Sequence, residues 1–152
     1  MIREGKMSDA ERIVDLVGEF STELGYDDFS RNDVLSLILR YLEDPISKAF
    51  VGEVEGMVFG FVLGTIVPYN FNPSKTVAIE IYWFVSPKAR GNGLGRKLLH
   101  AFEGWAISME VDYISLALEA GKIGDVVDRI YKRMGYTLRE RTYAKMVGAE
   151  GP

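Results

Sequence analysis

The segment Val85-Ser86-Pro87-Lys88-Ala89-Arg90-Gly91-Asn92-Gly93-Leu94-Gly95-Arg96 is where residue types and spacing best suit chemistry. An apolar, β-branched run ends at Val85 and a helical pattern opens at Gly93, so the glycines fall in a strand-to-helix turn. Small residues at alternate positions let backbone N–H groups converge on one spot without side chains in the way. The helix that follows adds unpaired N–H donors and the positive end of its dipole. Such a turn suits an anionic phosphate, and Arg90 and Arg96 can add charge-assisted hydrogen bonds. Two familiar phosphate patterns fail at specified residues. A P-loop needs Gly-Lys-Ser/Thr, where this chain has Gly95-Arg96-Lys97-Leu98. A Gly-x-Gly-x-x-Gly fingerprint begun at Gly91 falls on Arg96 at its last position. The bland alternative is a ligand-free turn that merely starts a helix; the backbone entropy lost at Gly91, Gly93 and Gly95 weighs against it.

Other reactive positions are sparse. The chain has no cysteine and a single histidine, His100. Disulfides, thiolate metal sites and a cysteine nucleophile are thereby excluded, and a histidine-rich metal site or a catalytic triad is not expected. His100 falls mid-helix and reads as an ordinary helix residue. Glu80 interrupts the apolar strand Val77-Ala78-Ile79-Glu80-Ile81-Tyr82, where an acid needs a reason to sit. Alternation puts it on the face shared with Tyr82 and Phe84. It reads equally as a general base, direct or through water, and as a solvent-facing edge carboxylate. Glu119, ending the next expected strand, is the runner-up, and water alone can also accept a proton.

The elements that must position these groups follow from periodicity. Ser8 with Glu11 reads as a capping box opening a helix with Ile13, Val14, Leu16, Val17, Phe20 and Leu24 inward, closed by Gly25. Ser30 with Asp33 opens a second helix, which Asp44-Pro45 stops. Ala49 to Val54 and Met57 to Val67 are strands joined by the hairpin signal Glu55-Gly56. A loop follows from Pro68 to Pro73, then a strand from Thr76 to Val85. Gly93 to Ser108 is helical, Tyr113 to Leu118 a strand, and Asp125 to Met134 a helix ended by Gly135. Tyr136 to Leu138 and Thr142 to Val147 are expected as a closing strand pair, and Ile2 to Gly5 as a short first strand. The strand-helix-strand unit from Thr76 to Leu118 favours a parallel pair with a crossover helix.

Composition sets the class. A chain of 152 residues with 47% hydrophobic and 26% charged content is one ordinary globular domain, taken here as 1–152, with only Gly148 to Pro152 resembling a loose tail. The net charge of −4 argues against nucleic acid as the main partner. The longest apolar stretch, Met57 to Val67, is too short to span a bilayer, and Met1 to Lys6 does not read as a signal peptide. A cytoplasmic location without membrane association is the expectation.

Arg90-Gly91-Asn92-Gly93-Leu94-Gly95 resembles Arg/Gln-x-x-Gly-x-Gly/Ala, the coenzyme signature of the GNAT superfamily of N-acetyltransferases. The match extends through Val85-x-Pro87 upstream and Arg96-Lys97-Leu98-Leu99 downstream. Ile130-Tyr131-Lys132-Arg133-Met134-Gly135-Tyr136 is similar to that family's Leu-Tyr-x-x-x-Gly-Phe/Tyr segment. Many relatives carry Asn and Ala where this chain has Gly124 and Val127.

The resemblance implies an α/β (α+β) fold: a mixed, mostly antiparallel sheet of six to seven strands flanked by helices, with a central, splayed parallel pair. It implies acetyl-CoA as cosubstrate and no metal. Backbone groups of Phe84 and Val85 would pair with pantetheine, and the amides of Arg90, Gly91, Asn92, Gly93, Leu94, Gly95 and Arg96 would hold pyrophosphate. Tyr131 would be the general acid toward the coenzyme sulfur, or else a core tyrosine of an amphipathic helix. Lys88 reads either as a contact to the ribose phosphate or as a solvated loop residue. Tyr26, Phe29, Tyr69, Phe71, Tyr82 and Trp83 are candidates to wall the acceptor site. Acetyl transfer to a primary amine of a small molecule or protein is the expected activity; a non-catalytic acyl-CoA-binding module is the alternative. A homodimer is an open option.

Overall fold

A computed structural model describes residues 1–148, so the expected tail beyond Gly148 lies outside the described residues. The chain divides into two compact units, Met1–Ala117 and the residues from Leu118 on. In the first unit, β1 (Ile2–Glu4) precedes a short 3-10 turn, Met7–Asp9, and α1 (Ala10–Leu24). The Ser8–Glu11 box is not what closes this start. Asp9 accepts the Lys6 amide at 2.7 Å and is gripped by both terminal nitrogens of Arg3 at 2.8 and 2.9 Å. α2 (Arg31–Glu43) opens at Ser30, whose hydroxyl donates to Asp33 at 2.7 Å, and ends before Pro45.

Three long strands then form a meander: β2 (Ser47–Val54), β3 (Met57–Tyr69) and β4 (Asn72–Val85). The β2–β3 turn is tight because Glu55 and Gly56 both take positive φ, the twist a two-residue hairpin needs. The loop expected from Pro68 to Pro73 shrinks to a turn at Asn70-Phe71, since both strands run further than their apolar patterns. α3 (Leu94–Ser108) crosses back to β5 (Tyr113–Ser115), which pairs parallel to β4. The sheet order is β1-β2-β3-β4-β5, antiparallel apart from that last pair.

Alternation along the strands sorts two cores onto opposite faces. Ile13, Leu16, Ile38, Val51, Phe61, Leu63 and Phe84 pack together on the α1–α2 side. Val62, Ala78, Val85, Leu98, Phe102 and Ala106 pack on the α3 side. The second unit contains α4 (Lys122–Arg133), which begins before the expected Asp125 and buries Gly124 and Tyr131.

Two expectations are corrected. The sheet has five strands rather than six to seven: the described residues from Tyr136 to Gly148 form no strand. Their would-be turn, Arg139-Glu140-Arg141, lacks the Gly or Asn that a tight hairpin wants, and Tyr143 and Val147 stand 95% and 93% exposed. A ribbon that covers no apolar face gains too little to offset the entropy of ordering it. As a result the parallel β4–β5 pair lies at the edge of the sheet, not at its centre. No helix among the described residues is long and apolar enough to cross a membrane.

Candidate functional site

The site is built at the end of β4. Ser86 is almost wholly buried; its amide donates to the Phe59 carbonyl at 2.8 Å and its hydroxyl to Glu19 of α1 at 2.9 Å. A 3-10 turn, Pro87–Ala89, carries the chain to Arg90. The Arg90 guanidinium is held by two acceptors. Its Nε donates to the Val85 carbonyl at 2.8 Å, Nη2 to Glu23 at 2.7 Å, and the group lies 5.5 Å over the Phe84 ring. Its amide also donates, weakly, to the Pro87 carbonyl at 3.4 Å. Arg90 therefore braces the turn against α1, and Glu23 neutralises the charge that sequence reasoning assigned to phosphate.

Gly91 and Gly93 then take φ of 93° and 81°, a region where a Cβ costs about 1–2 kcal/mol. A Cβ at either would meet nothing within 4 Å, so backbone conformation and not crowding requires glycine here. Asn92 Oδ1 accepts the Leu94 amide at 3.1 Å. The amides of Gly91, Asn92, Gly93, Gly95 and Arg96 find no acceptor among the described residues. Next to them Lys88, Arg96 and Lys97 are exposed. A cluster of unsatisfied donors at a helix start, free of side chains and ringed by cations, fits a diphosphate. On the α3 side, the Trp83 indole donates to the Gly95 carbonyl at 3.0 Å.

The strand leading into this turn also opens. The β4–β5 ladder ends at Ile79↔Ser115, while β4 runs on to Val85. At the same point the β3–β4 register slips: Gly64 faces Glu80 and Leu63 faces Tyr82, leaving Ile81 as a bulge. The slip overturns the expected side for Glu80. Its partner Gly64 lies under Phe102 of α3, whereas Tyr82 packs with the α1–α2 core. Glu80 is half-buried on the α3 face, and Tyr82 and Phe84 are on the other. Burial, with Tyr41 adding to it, raises the Tyr82 phenol above its ordinary pKa.

The expected aromatic wall is not brought together. Phe29 lies against Gly18 of α1, and Tyr26 lies just past the end of that helix, its amide donating to the Ser21 carbonyl. Tyr69 and Phe71 sit at the opposite end of β4, where Tyr69 contacts Phe71 and Tyr113 at 5.7 and 4.5 Å. Trp83 faces α3. An open groove of about 410 Å³ runs along α1 beside the turn, lined by Gly18, Glu19, Thr22, Glu23 and Pro87. Sequence reading missed Glu19 and Glu23; acids four apart on a helix that is otherwise apolar toward the sheet were the available signal. His100 is exposed and pairs with Glu103 at 3.3 Å, as expected of a helix-surface residue. In the second unit Tyr131 is buried near the end of α4 with its ring 6.1 Å from that of Tyr136, and Glu119 is exposed. Among the described residues no group of three or more His, Cys, Asp or Glu is arranged to hold a metal.

The chain matches the family model described as Acetyltransferase (GNAT) family over residues 11–136. No curated protein matches it. Solved structures similar to it include a predicted acetyltransferase with acetyl-CoA from Clostridium acetobutylicum, at 16% identity and TM-score 0.79, covering 97% of this chain and 96% of that one. An aminoglycoside N-acetyltransferase in complex with CoA gives TM-score 0.78 at 16% identity, over 98% and 95% of the two chains. The ribosomal-protein-alanine N-acetyltransferase of Brucella melitensis biovar Abortus gives 0.70 at 16% identity, over 96% and 99%.

Proposed function

The chain belongs to the acetyltransferase (GNAT) family, and from that premise we propose that it is one acyltransferase domain, 1–152, moving acetyl from acetyl-CoA directly to a primary amine. The observation that carries the reading is the strand-turn-helix at Val85 to Arg96, where the amides of Gly91, Asn92, Gly93, Gly95 and Arg96 find no acceptor among the described residues. These amides bind the coenzyme diphosphate, with Lys88, Arg96 and Lys97 as the nearby cations. Arg90 contributes as a brace. Phe84 and Val85 offer backbone to the pantetheine arm past the end of the β4–β5 ladder, as an added strand would use it.

Bound acetyl-CoA supplies an activated thioester carbonyl and a thiolate leaving group. What remains for the protein is to hold the reactants together and to move protons. An acceptor ammonium with a pKa of about 10 must lose a proton before attack. Glu80, half-buried where the strands part, is the proposed base, acting directly or through water. Tyr131 is the proposed donor to the departing sulfur, on the strength of its motif. With no cysteine in the chain, an acyl-cysteine relay is excluded.

The net charge of −4 favours a cationic acceptor in the cytoplasm. Similar structures are named for acceptors as unlike as an aminoglycoside and a ribosomal-protein alanine, so the fold by itself does not choose the amine. The test is a thiol-release assay with acetyl-CoA against polyamines, aminoglycosides and peptide amines. Turnover with a cationic amine supports the proposal; tight coenzyme binding without turnover across the panel makes the chain a coenzyme-binding module instead.

A further inference from the structure

We propose that Trp83 is a positioning residue for coenzyme binding: its indole N–H, on the Gly95 carbonyl, orients and polarises the peptide that presents the Arg96 amide. The inference rests on the coenzyme reading above. Trp83 of β4 pairs with Val62 of β3 and packs with the α3-side core, which turns its ring under the start of α3. The Nε1 to Gly95 oxygen distance is 3.0 Å. A Cβ at position 95 would sit 3.1 Å from Trp83 Cζ2, so the missing side chain is what lets the indole reach this carbonyl.

The carbonyl of Gly95 and the N–H of Arg96 belong to one peptide unit. A carbonyl oxygen has two lone pairs, so it can take the indole in addition to its helical partner. A donor on the oxygen draws electron density from the nitrogen, and hydrogen bonds in such a chain strengthen one another. The Arg96 amide finds no acceptor among the described residues, so the gain is available to a bound phosphate oxygen. The same bond ties the first turn of α3, where helices fray, to the strand that feeds the glycine turn.

The competing role for a half-buried tryptophan is packing with a satisfied N–H. Trp83→Phe keeps an aromatic ring but loses the donor together with part of the indole's packing, so the pattern of constants, not the loss alone, separates the two. Coenzyme A is titrated calorimetrically into the wild type and Trp83→Phe, and steady-state constants are measured with the best amine. We expect coenzyme A affinity to fall about three- to tenfold, the loss of one hydrogen bond, and KM for acetyl-CoA to rise in step. At saturating acetyl-CoA, kcat and the acceptor KM stay put, a split that loose packing would not produce. Independently of any variant, the wild type labelled with 5-fluorotryptophan has two ¹⁹F reporters, Trp83 and Trp105. On saturation with coenzyme A the Trp83 resonance moves and that of Trp105 does not. Wild-type affinity in a folded Trp83→Phe, or an unmoved Trp83 resonance, overturns the proposal while leaving the coenzyme reading intact. A wild type that gives no heat with coenzyme A overturns that reading, and this inference with it.

Discussion

Gly93 and Gly56 form a matched pair for testing whether the glycine turn exists to admit a ligand. Their φ values are 81° and 78°, and an added Cβ would meet no atom within 4 Å at either position. Substitution by alanine therefore carries the same penalty at both, the strain of a left-handed L-residue, about 1 kcal/mol. For a chain of this size that lowers the Tm by about 2–4 °C in each variant. Gly56 lies in the β2–β3 turn and has no part in the proposed site; Gly93 stands at the mouth of α3, where its own amide and that of Asn92 find no acceptor among the described residues.

The variants should thus diverge only when coenzyme is present. In the proposed site a methyl group at position 93 would keep phosphate oxygens from the neighbouring N–H groups. Losing one hydrogen bond to a charged group costs about 1.5–3 kcal/mol, or a tenfold or greater loss of coenzyme A affinity. Gly56→Ala should bind as the wild type does. Calorimetric titration of both variants alongside thermal melts checks it. Equal affinity in the two variants, whether both normal or both weakened, would refute the reasoning: the first outcome removes the turn from the site, and the second makes the effect one of stability alone.

Tyr131→Phe should leave folding and coenzyme binding intact while kcat drops about a hundredfold, the usual share of a general acid; unchanged turnover removes Tyr131 from the mechanism. Gly124→Ala should shift the 119–121 segment and loosen the start of α4, because a Cβ there would stand 1.9 Å from the Glu119 carbonyl oxygen. Faster hydrogen exchange across that start checks this, and unchanged exchange contradicts it. Asp9→Asn should destabilise by about 2 kcal/mol near neutrality, since Asp9 accepts from Arg3 and the Lys6 amide while nearly buried. The Arg3 guanidinium holds the Asp9 carboxyl below its ordinary pKa. That stabilisation is complete above the unfolded value of about 3.9 and is lost as pH falls through the lowered one. The gap in Tm between Asp9→Asn and wild type should therefore close in acid, and a gap constant with pH would count against the ion pair.

Much of this architecture was legible because it is local. Helical spacing in Ile13, Val14, Leu16 and Val17, the Glu55-Gly56 turn and the glycines after Arg90 each act over a few residues, and the structure places all three as read. What could not be read depends on partners distant in sequence. Arg90 looks like a phosphate ligand until Glu23, far back in α1, is found to hold it. Residues 142–147 alternate like a strand, but alternation records only what a segment would bury if an edge received it. Trp83 reads as one more aromatic of an apolar strand; its bond to Gly95 exists only once α3 has folded back over β4.

The bulge at Ile81 is the least legible feature and the one that bears most on the proposed proton transfer. A single extra residue reverses the facing of everything beyond it. Ala78 and Glu80 belong to the α3 face, Tyr82 and Phe84 to the face under α1, where the groove lined by Glu19 and Glu23 lies. Tyr82, not Glu80, therefore shares the face on which that groove lies. Burial raises the Tyr82 phenol above an ordinary value already near 10, so near neutrality it stays protonated and can donate but not accept. Glu80, however, occupies the first position after the β4–β5 ladder ends, where the strands part. For the proposed reaction this leaves two routes for the amine's proton, through water or to Glu80 at the parting of the strands, and Tyr82 as base in neither.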